Sequence, residues 1–179
     1  MKPNEITLPK ESIIKSSLRR NDYEDAFAIE IDHPVPLEEL PKMFFMAFPK
    51  WFIVLMGTRE VVAKIIGLKT SEGMDVKKQI KEFKGEIGDS IALFHVLDKT
   101  EEEIMTGESD SHLDFRLSLF YRPKKEKHEI ILATTVQYNN WVGKVYFFFV
   151  KPIHRLIMPV LLKRMNRLVE NKTRKTIIS

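Results

Sequence analysis

The sequence predicts an α+β fold of helix-grip type, in which a curved antiparallel sheet wraps around a long, kinked C-terminal helix. Three observations predict it. From about Gln79 to Tyr138 apolar residues alternate in short runs broken by Gly, Asp, Ser or Pro, the pattern of antiparallel strands joined by turns. From Trp141 onward the period becomes helical and continues through Pro152 and Pro159. An earlier alternating run, Ala26 to Ile31, precedes two helical stretches.

Residues 1–21 mix Pro, Ser, Lys and Arg with isolated aliphatics, and are expected to form an arm that docks loosely on the domain, where no core need lie. In the first strand Phe27, Ile29 and Ile31 point one way and Ala28 and Glu30 the other; His33-Pro34-Val35-Pro36 ends it. Leu37 to Phe48 and Lys50 to Ile66 read as two short helices split by Pro49. Pro41 is tolerated in the first of them if the helix begins at that turn. In the second, Trp51, Val54, Leu55, Thr58, Val61 and Val62 keep helical spacing opposite Arg59, Glu60 and Lys64, and Gly67 ends the pattern.

Strands are expected near 79–86, 89–98, 101–107, 112–122 and 127–138. The last helix, capped by Asn139 or Asn140, is expected to turn Val142, Val145, Tyr146, Phe149, Ile153, Leu156, Ile157, Val160, Leu161, Met165 and Leu168 inward as one stripe. Each proline removes a backbone donor and crowds the carbonyl four residues earlier, so the helix should bend around the sheet. The β-branched and aromatic content of Val145 to Val150 leaves one more strand as the alternative there. The expected organisation is an arm over 1–21, a single domain over 22–171 and a basic tail over 172–179.

A chain of 179 residues, 44% hydrophobic and 30% charged, has the composition of one globular domain with a sizeable core. It contains no cysteine, which excludes disulfides, thiolate metal sites and thiol catalysis and suits a reducing cytoplasm. The first residues lack the apolar segment of a secretory leader, and a cytoplasmic location is expected. The net charge of +4 is uneven: from Lys144 to the end there are nine basic residues and one acid, Glu170, so this segment carries +8 and the rest −4. Such a helix could meet anionic lipid, although a solvated helix face is the simpler reading. Nucleic acid is not expected as a partner, because the aromatics lie in apolar runs instead of interleaving with Lys and Arg.

Several segments carry a family resemblance: Arg59 with Gly67-Leu68, Gly107 to Arg116, Thr134-Thr135-Val136 with Asn139, Gly143-Lys144-Val145-Tyr146, and Pro152-Ile153-His154-Arg155. They resemble a bacterial family of unknown function in the START and pollen-allergen-like (SRPBCC) superfamily, whose members also occur fused behind a short-chain-dehydrogenase-like domain. The resemblance covers about 22 to 168 and implies a START-like helix-grip fold. The chain departs from the pattern at Lys144, where Arg is expected, and at Ile153, where Phe is usual. No Gly-rich dinucleotide fingerprint follows a strand, so the nicotinamide chemistry of the fused relatives does not carry over and no cofactor is expected.

Candidate polar groups are few. His112, Asp114, Arg116 and Ser118 alternate with Leu113, Phe115, Leu117 and Leu119, which places them about 7 Å apart on one strand face. That face is either the solvent side of the sheet or, if inverted, the cavity wall. His154 and Arg155 follow Pro152, where a bond from His154 to a freed carbonyl is the simplest reading and ligand gating the alternative. The histidines at 33, 95, 112, 128 and 154 show no metal-binding spacing, so no metal site is expected. No Gly-x-Ser-x-Gly elbow supports a serine nucleophile.

A binding module is therefore favoured over an enzyme. Trp51, Leu55, Phe115, Tyr146 and Phe149 would wall a cavity between sheet and C-terminal helix, holding a small apolar or amphipathic molecule whose polar end meets Arg116 or Arg59. One alternative is a hydrolase or isomerase with His112 as base and Asp114 as its orienter in that cavity. The other is peripheral membrane attachment through the basic C-terminal helix.

Overall fold

The computed structural model describes residues 1–55 and 73–178. Its strands are β1 (Asn4–Ile6), β2 (Tyr23–Ile31), β3 (Ser90–Ile91), β4 (Phe94–Lys99), β5 (Glu103–Ser109), β6 (Leu113–Pro123) and β7 (His128–Tyr138). They pair in one seven-stranded sheet of order β1-β2-β7-β6-β5-β4-β3, with every neighbour antiparallel. The helices are α1 (Glu39–Met46), α2 (Val76–Glu82) and α3 (Trp141–Ile178); residues 50–55 are also helical, and Ile13–Ser16 form a 3-10 turn. The fold is α+β in a helix-grip arrangement.

Alternation along the strands assigns the two sheet faces. Phe27, Ile29 and Ile31 of β2, Ile130 and Leu132 of β7, Leu117 and Leu119 of β6 and Ile104 of β5 pack with Ile157, Met158, Leu161, Leu162 and Met165 of α3 and with Leu40, Met43 and Phe44 of α1. The intervening residues Ala26, Ala28, Ile131, Ala133, Phe120 and Met105 face the other way, where Leu8 and Ile14 cover them. Residues 1–21 thus contribute core, against expectation. β1 pairs with β2, and the arm is also fastened by a buried carboxylate: Glu103 accepts from Ser12 Oγ at 2.5 Å, from the Ile13 amide at 2.9 Å and from Ser118 Oγ. An isolated aliphatic such as Ile14 carries no period to betray its burial.

Other corrections have local causes. The stretch expected as a strand near 79–86 holds the end of helix α2 (Val76–Glu82) and an irregular segment after it: Asp75 caps the helix by accepting from the Lys78 amide at 3.0 Å, and Val76, Ile80 and Phe83 keep a three- to four-residue spacing. The strand expected over 89–98 is broken into β3 and β4 by a turn in which Ala92 has φ 52°. Pro41 sits in the first turn of α1, where its missing N–H costs no intrahelical bond. Residues 145–150 are helical, not a strand. The second short helix begins at residue 50, and its expected course beyond residue 55 lies outside the described residues.

α3 is capped by Asn140, whose Oδ1 accepts from the Gly143 amide at 3.1 Å. Both Pro152 and Pro159 lie inside the helix. The helix packs on β2, β7 and α1. That placement leaves the other half of the same sheet face, around β4 and β6, to be covered by α1 and residues 50–55.

Candidate functional site

Where α1 and residues 50–55 meet that half of the face, a continuous train of aromatic rings runs between them and the sheet. Phe115 of β6 meets Phe94 of β4 at 5.1 Å between centroids, and Phe94 meets Phe45 of α1 at 5.1 Å. Phe44 and Phe45 meet Phe48 at 5.2 and 6.0 Å, Phe48 stacks on Phe52 at 5.0 Å, and Trp51 lies edge-on to Phe52 at 5.7 Å. Phe44 is buried, with Phe45, Phe48, Phe52 and Phe94 half-buried around it, and Phe115 is half-buried against Tyr23, Leu113, Val136 and Phe147. Trp51 is 50% exposed, and Ile53 and Val54 beside it are more so. The local sequence explains the train: Phe44, Phe45 and Phe48 recur at helical spacing, and Phe94 and Phe115 sit at strand positions whose neighbours Val96 and Leu117 enter the core. Large apolar rings joined edge to face, with one side wet, form a wall that can take apolar surface from a ligand.

A second constellation lies under α3. Asp25, two residues before Phe27 on β2, faces the helix with its side chain only 1% exposed. Its Oδ2 accepts from Tyr23 Oη at 2.5 Å, and Nε2 of His154 lies 3.1 Å from the same oxygen. Tyr23 also packs on Phe147 at 4.9 Å and edge-on to His154 at 6.0 Å, with the Lys151 ammonium 5.0 Å from its ring. Burial, then the hydrogen bond and negative charge of Asp25, push the Tyr23 phenol above its ordinary value of 10.0. Thr134, in register with Asp25 on β7, is buried with no partner for its hydroxyl among the described residues. A carboxylate that takes a hydrogen bond from its own strand and pairs with an imidazole on the helix fixes the helix over β2. His154 therefore bonds a carboxylate from a distant strand, not the freed carbonyl expected from its neighbour Pro152.

The residues expected to share one strand face separate. β6 begins at Leu113, so His112 precedes the strand and turns toward α3, where it is buried edge-on to Tyr146 at 5.3 Å, with Nδ1 3.4 Å from Asp110. Asp114 and Arg116 stay on the face away from α3. Asp114 accepts from Asn139 Nδ2 at 3.0 Å. Arg116 donates to the carbonyls of Glu108 and Phe115 at 2.9 and 2.8 Å and to Ser109 Oγ at 3.0 Å, and burial lowers its pKa. The structure thus gives His112 and Asp114 different partners.

The expected inward stripe of α3 holds in part. Ile157, Leu161 and Met165 are buried as expected, but Val145, Phe149, Leu156 and Val160 are exposed, and Phe147, Met158 and Leu162 are buried in their place. The first half of α3 is apolar on several sides, so spacing alone does not choose the buried one; the Phe147–Tyr23 and His154–Asp25 contacts do. Of the expected ligand wall, Trp51 and Phe115 lie at the two ends of the aromatic train, and Leu55 is half-buried at the last described residue before 73. Tyr146 is engaged with His112, Phe149 points away from the sheet, Arg116 is on the opposite face, and Arg59 lies outside the described residues. Arg155 pairs through one nitrogen with both carboxylate oxygens of Glu5 at 2.8 Å, tying α3 to the arm. Among the described residues, the buried side chains above occupy the space between α3 and the sheet where a cavity was expected.

An open cleft at the foot of α3 is lined by Arg20, Asp22, Tyr138, Asn139, Asn140, Trp141 and Lys144. Burial raises the Asp22 pKa, but the Tyr138 amide at 2.7 Å and the Arg20 guanidinium at 2.9 Å outweigh it and hold the carboxyl below its ordinary value. Among the described residues no group of three His, Asp or Glu side chains lies close enough to hold a metal ion.

Sequence comparison adds a family and nothing finer. No curated protein and no solved structure matches the chain significantly. One family model matches residues 17–161, and the chain accordingly belongs to the family described as a protein of unknown function, DUF2867.

Proposed function

We propose that the domain is a binding module for a small apolar or amphipathic molecule, which lies against the aromatic wall of Phe45, Phe48, Phe52, Phe94 and Phe115. The observation that carries this reading is the half-burial of those rings, which follow one another in contact from α1 and residues 48–52 to β4 and β6 beside α3. Half-buried rings keep apolar area in water that a ligand can remove, at about 25 cal/mol per Å². They also form one preorganised surface, which lowers the ordering cost of binding. The site thereby shifts from the sheet–α3 interface, which is packed, to the neighbouring surface under α1 and residues 50–55. A reducing cytoplasm suits such a cysteine-free module.

The experiment is a titration of the purified protein with 1-anilinonaphthalene-8-sulfonate and with dodecanoate as competitor, alongside organic extraction and mass spectrometry of the untreated protein. F94A should weaken the probe severalfold or more, whereas F148A, on the outward side of α3, should leave it unchanged. Equal binding by wild type and F94A would overturn the reading.

A further inference from the structure

α3 has two apolar sides, and the fold uses only one. Phe147, Ile157, Met158, Leu161 and Leu162 pack on the sheet. Opposite them Trp141, Val145, Phe148, Phe149, Leu156 and Val160 recur every few residues along one line and stay in water, with Phe148 72% and Phe149 65% exposed. A line of large apolar side chains about 30 Å long, by the helical rise, is more than scattered surface hydrophobicity.

The charges that α3 itself carries beside this line are of one sign, with Glu5 of the arm paired to Arg155. No acidic residue occurs between Trp141 and Val169. Lys144 and Lys151 are exposed along the first half of the helix, and Lys163 and Arg167 continue the apolar line itself where Val160 ends it, with Arg164 adjacent. By composition and length the helix could cross a bilayer, its best window having a mean hydropathy of 1.5. The fold argues against crossing: the opposite side is packed on β2 and β7, and the Asp25–His154 contact holds the middle of the helix on the sheet. A helix with one side committed to a core and the other apolar, edged by cations, suits the plane of a membrane interface.

We infer that α3 docks the domain on an anionic lipid surface, with Trp141, Phe148, Phe149 and Leu156 entering the headgroup boundary and Lys144, Lys163, Arg164 and Arg167 meeting lipid phosphates. A second copy of the chain is the competing occupant, and charge decides between them. An antiparallel pairing of two such helices would bring the Lys163 to Arg167 end of one against Lys144 and Lys151 of the other, cation against cation, whereas an anionic surface neutralises all of them. This docking surface is separate from the aromatic wall and does not depend on it.

The test is co-sedimentation of the full chain with extruded phosphatidylcholine vesicles containing about one-third phosphatidylglycerol, in parallel with pure phosphatidylcholine. Binding should favour the anionic vesicles and weaken as salt rises from about 0.1 M to about 1 M, where the Debye length falls from about 10 Å to about 3 Å. F148E/F149E should lower the partition coefficient about tenfold or more. K163E/R167E, a polar exchange on the same exposed line, should remove the preference for anionic lipid. Circular dichroism melts of both variants establish that the fold is retained, and each variant tests the inference alone if the other fails to fold. No binding to anionic vesicles, equal binding to neutral ones, or sedimentation equilibrium showing a wild-type dimer that F148E/F149E dissociates without any lipid binding would each overturn it.

Discussion

Replacing Gly143 with Ala should destabilise the domain, although alanine is the better helix former. In an exposed helix interior the exchange gains about 1 kcal/mol. Here the first turn of α3 lies directly on the backbone of His112. A Cβ on Gly143 would fall 2.8 Å from the His112 carbonyl carbon and nearer still to its oxygen, where ordinary carbon contacts are about 3.5–4.0 Å. Relief requires roughly 1 Å of movement between two backbones. That movement is opposed by the bonds that pin the β5–β6 turn to the start of α3: the Asn139 amide to His112 O at 3.0 Å, Asn139 Nδ2 to Asp110 O at 2.8 Å and Asn140 Nδ2 to Ser111 O at 2.9 Å. Overpacking of this kind costs about 1–3 kcal/mol, and a strained backbone bond adds about 1 kcal/mol. Set against the propensity gain, the net loss is about 2 kcal/mol. With an m-value of about 2 kcal/mol/M, the urea midpoint of G143A should fall by about 1 M at unchanged slope. A midpoint equal to or above wild type would refute the close approach of α3 to His112 on which the placement of the helix rests.

Further perturbations test other parts of the account. H154A leaves the buried Asp25 carboxylate with Tyr23 as its remaining hydrogen-bonding side chain and should cost about 3 kcal/mol by urea denaturation; a loss under about 1 kcal/mol would mean that the contact does not hold α3 in place. Folding holds the Tyr23 proton more tightly than the unfolded chain does, so the stability this contributes is present below the ordinary value of 10.0 and declines as pH rises above it; Y23F should flatten that alkaline decline in melts between about pH 9 and about pH 11, and an unchanged slope would remove the assignment. Asp22 runs the other way. Its depressed pKa contributes stability above the ordinary value of 3.8 that is lost as pH falls through the lower folded value, and D22N should lessen the acid-side decline in a melt series. Pro159 lies inside α3, so P159A restores a donor toward the Arg155 carbonyl but alters a helix shaped to the sheet; the gain should stay well short of the propensity difference of about 3 kcal/mol, and a thermal melt showing the full gain would deny the proline any role in that fit.

What the sequence made legible follows from how local each signal is. β2 and β6 are readable because large apolar residues recur at every second position, β7 because a β-branched and apolar run lies between turn signals, and α3 because its pattern continues through two prolines with an asparagine cap ahead of it. α2 was misread because Ile80 and Phe83 are three apart, not two, and its cap at Asp75 precedes the stretch assigned as strand. The buried face of α3 was not recoverable from spacing, since apolar residues stand on both sides of its first half and tertiary partners choose between them. Asp25 and His154 are separated by 129 positions in the chain, and nothing near either residue signals the other. Alternation puts His112 and Asp114 on one face only if the strand includes residue 112; β6 starts at Leu113, and a one-residue change at a strand's start is enough to reverse a side chain. Trp51 and Phe115 were recognised as wall residues, but the ring that joins their elements, Phe94, was not, because strand β4 was read as part of a longer uninterrupted one.

Apolar ligand surface is expected against the aromatic wall and not between α3 and the sheet. Aromatic and methyl resonances of the isotopically labelled protein, followed during titration with dodecanoate, test this most directly. Shift changes should centre on Phe45, Phe48, Phe52, Phe94 and Phe115, with Ile157, Leu161 and Leu132 unmoved. Changes centred on Ile157, Leu161 and Leu132, or no saturable change at the phenylalanines, would contradict it.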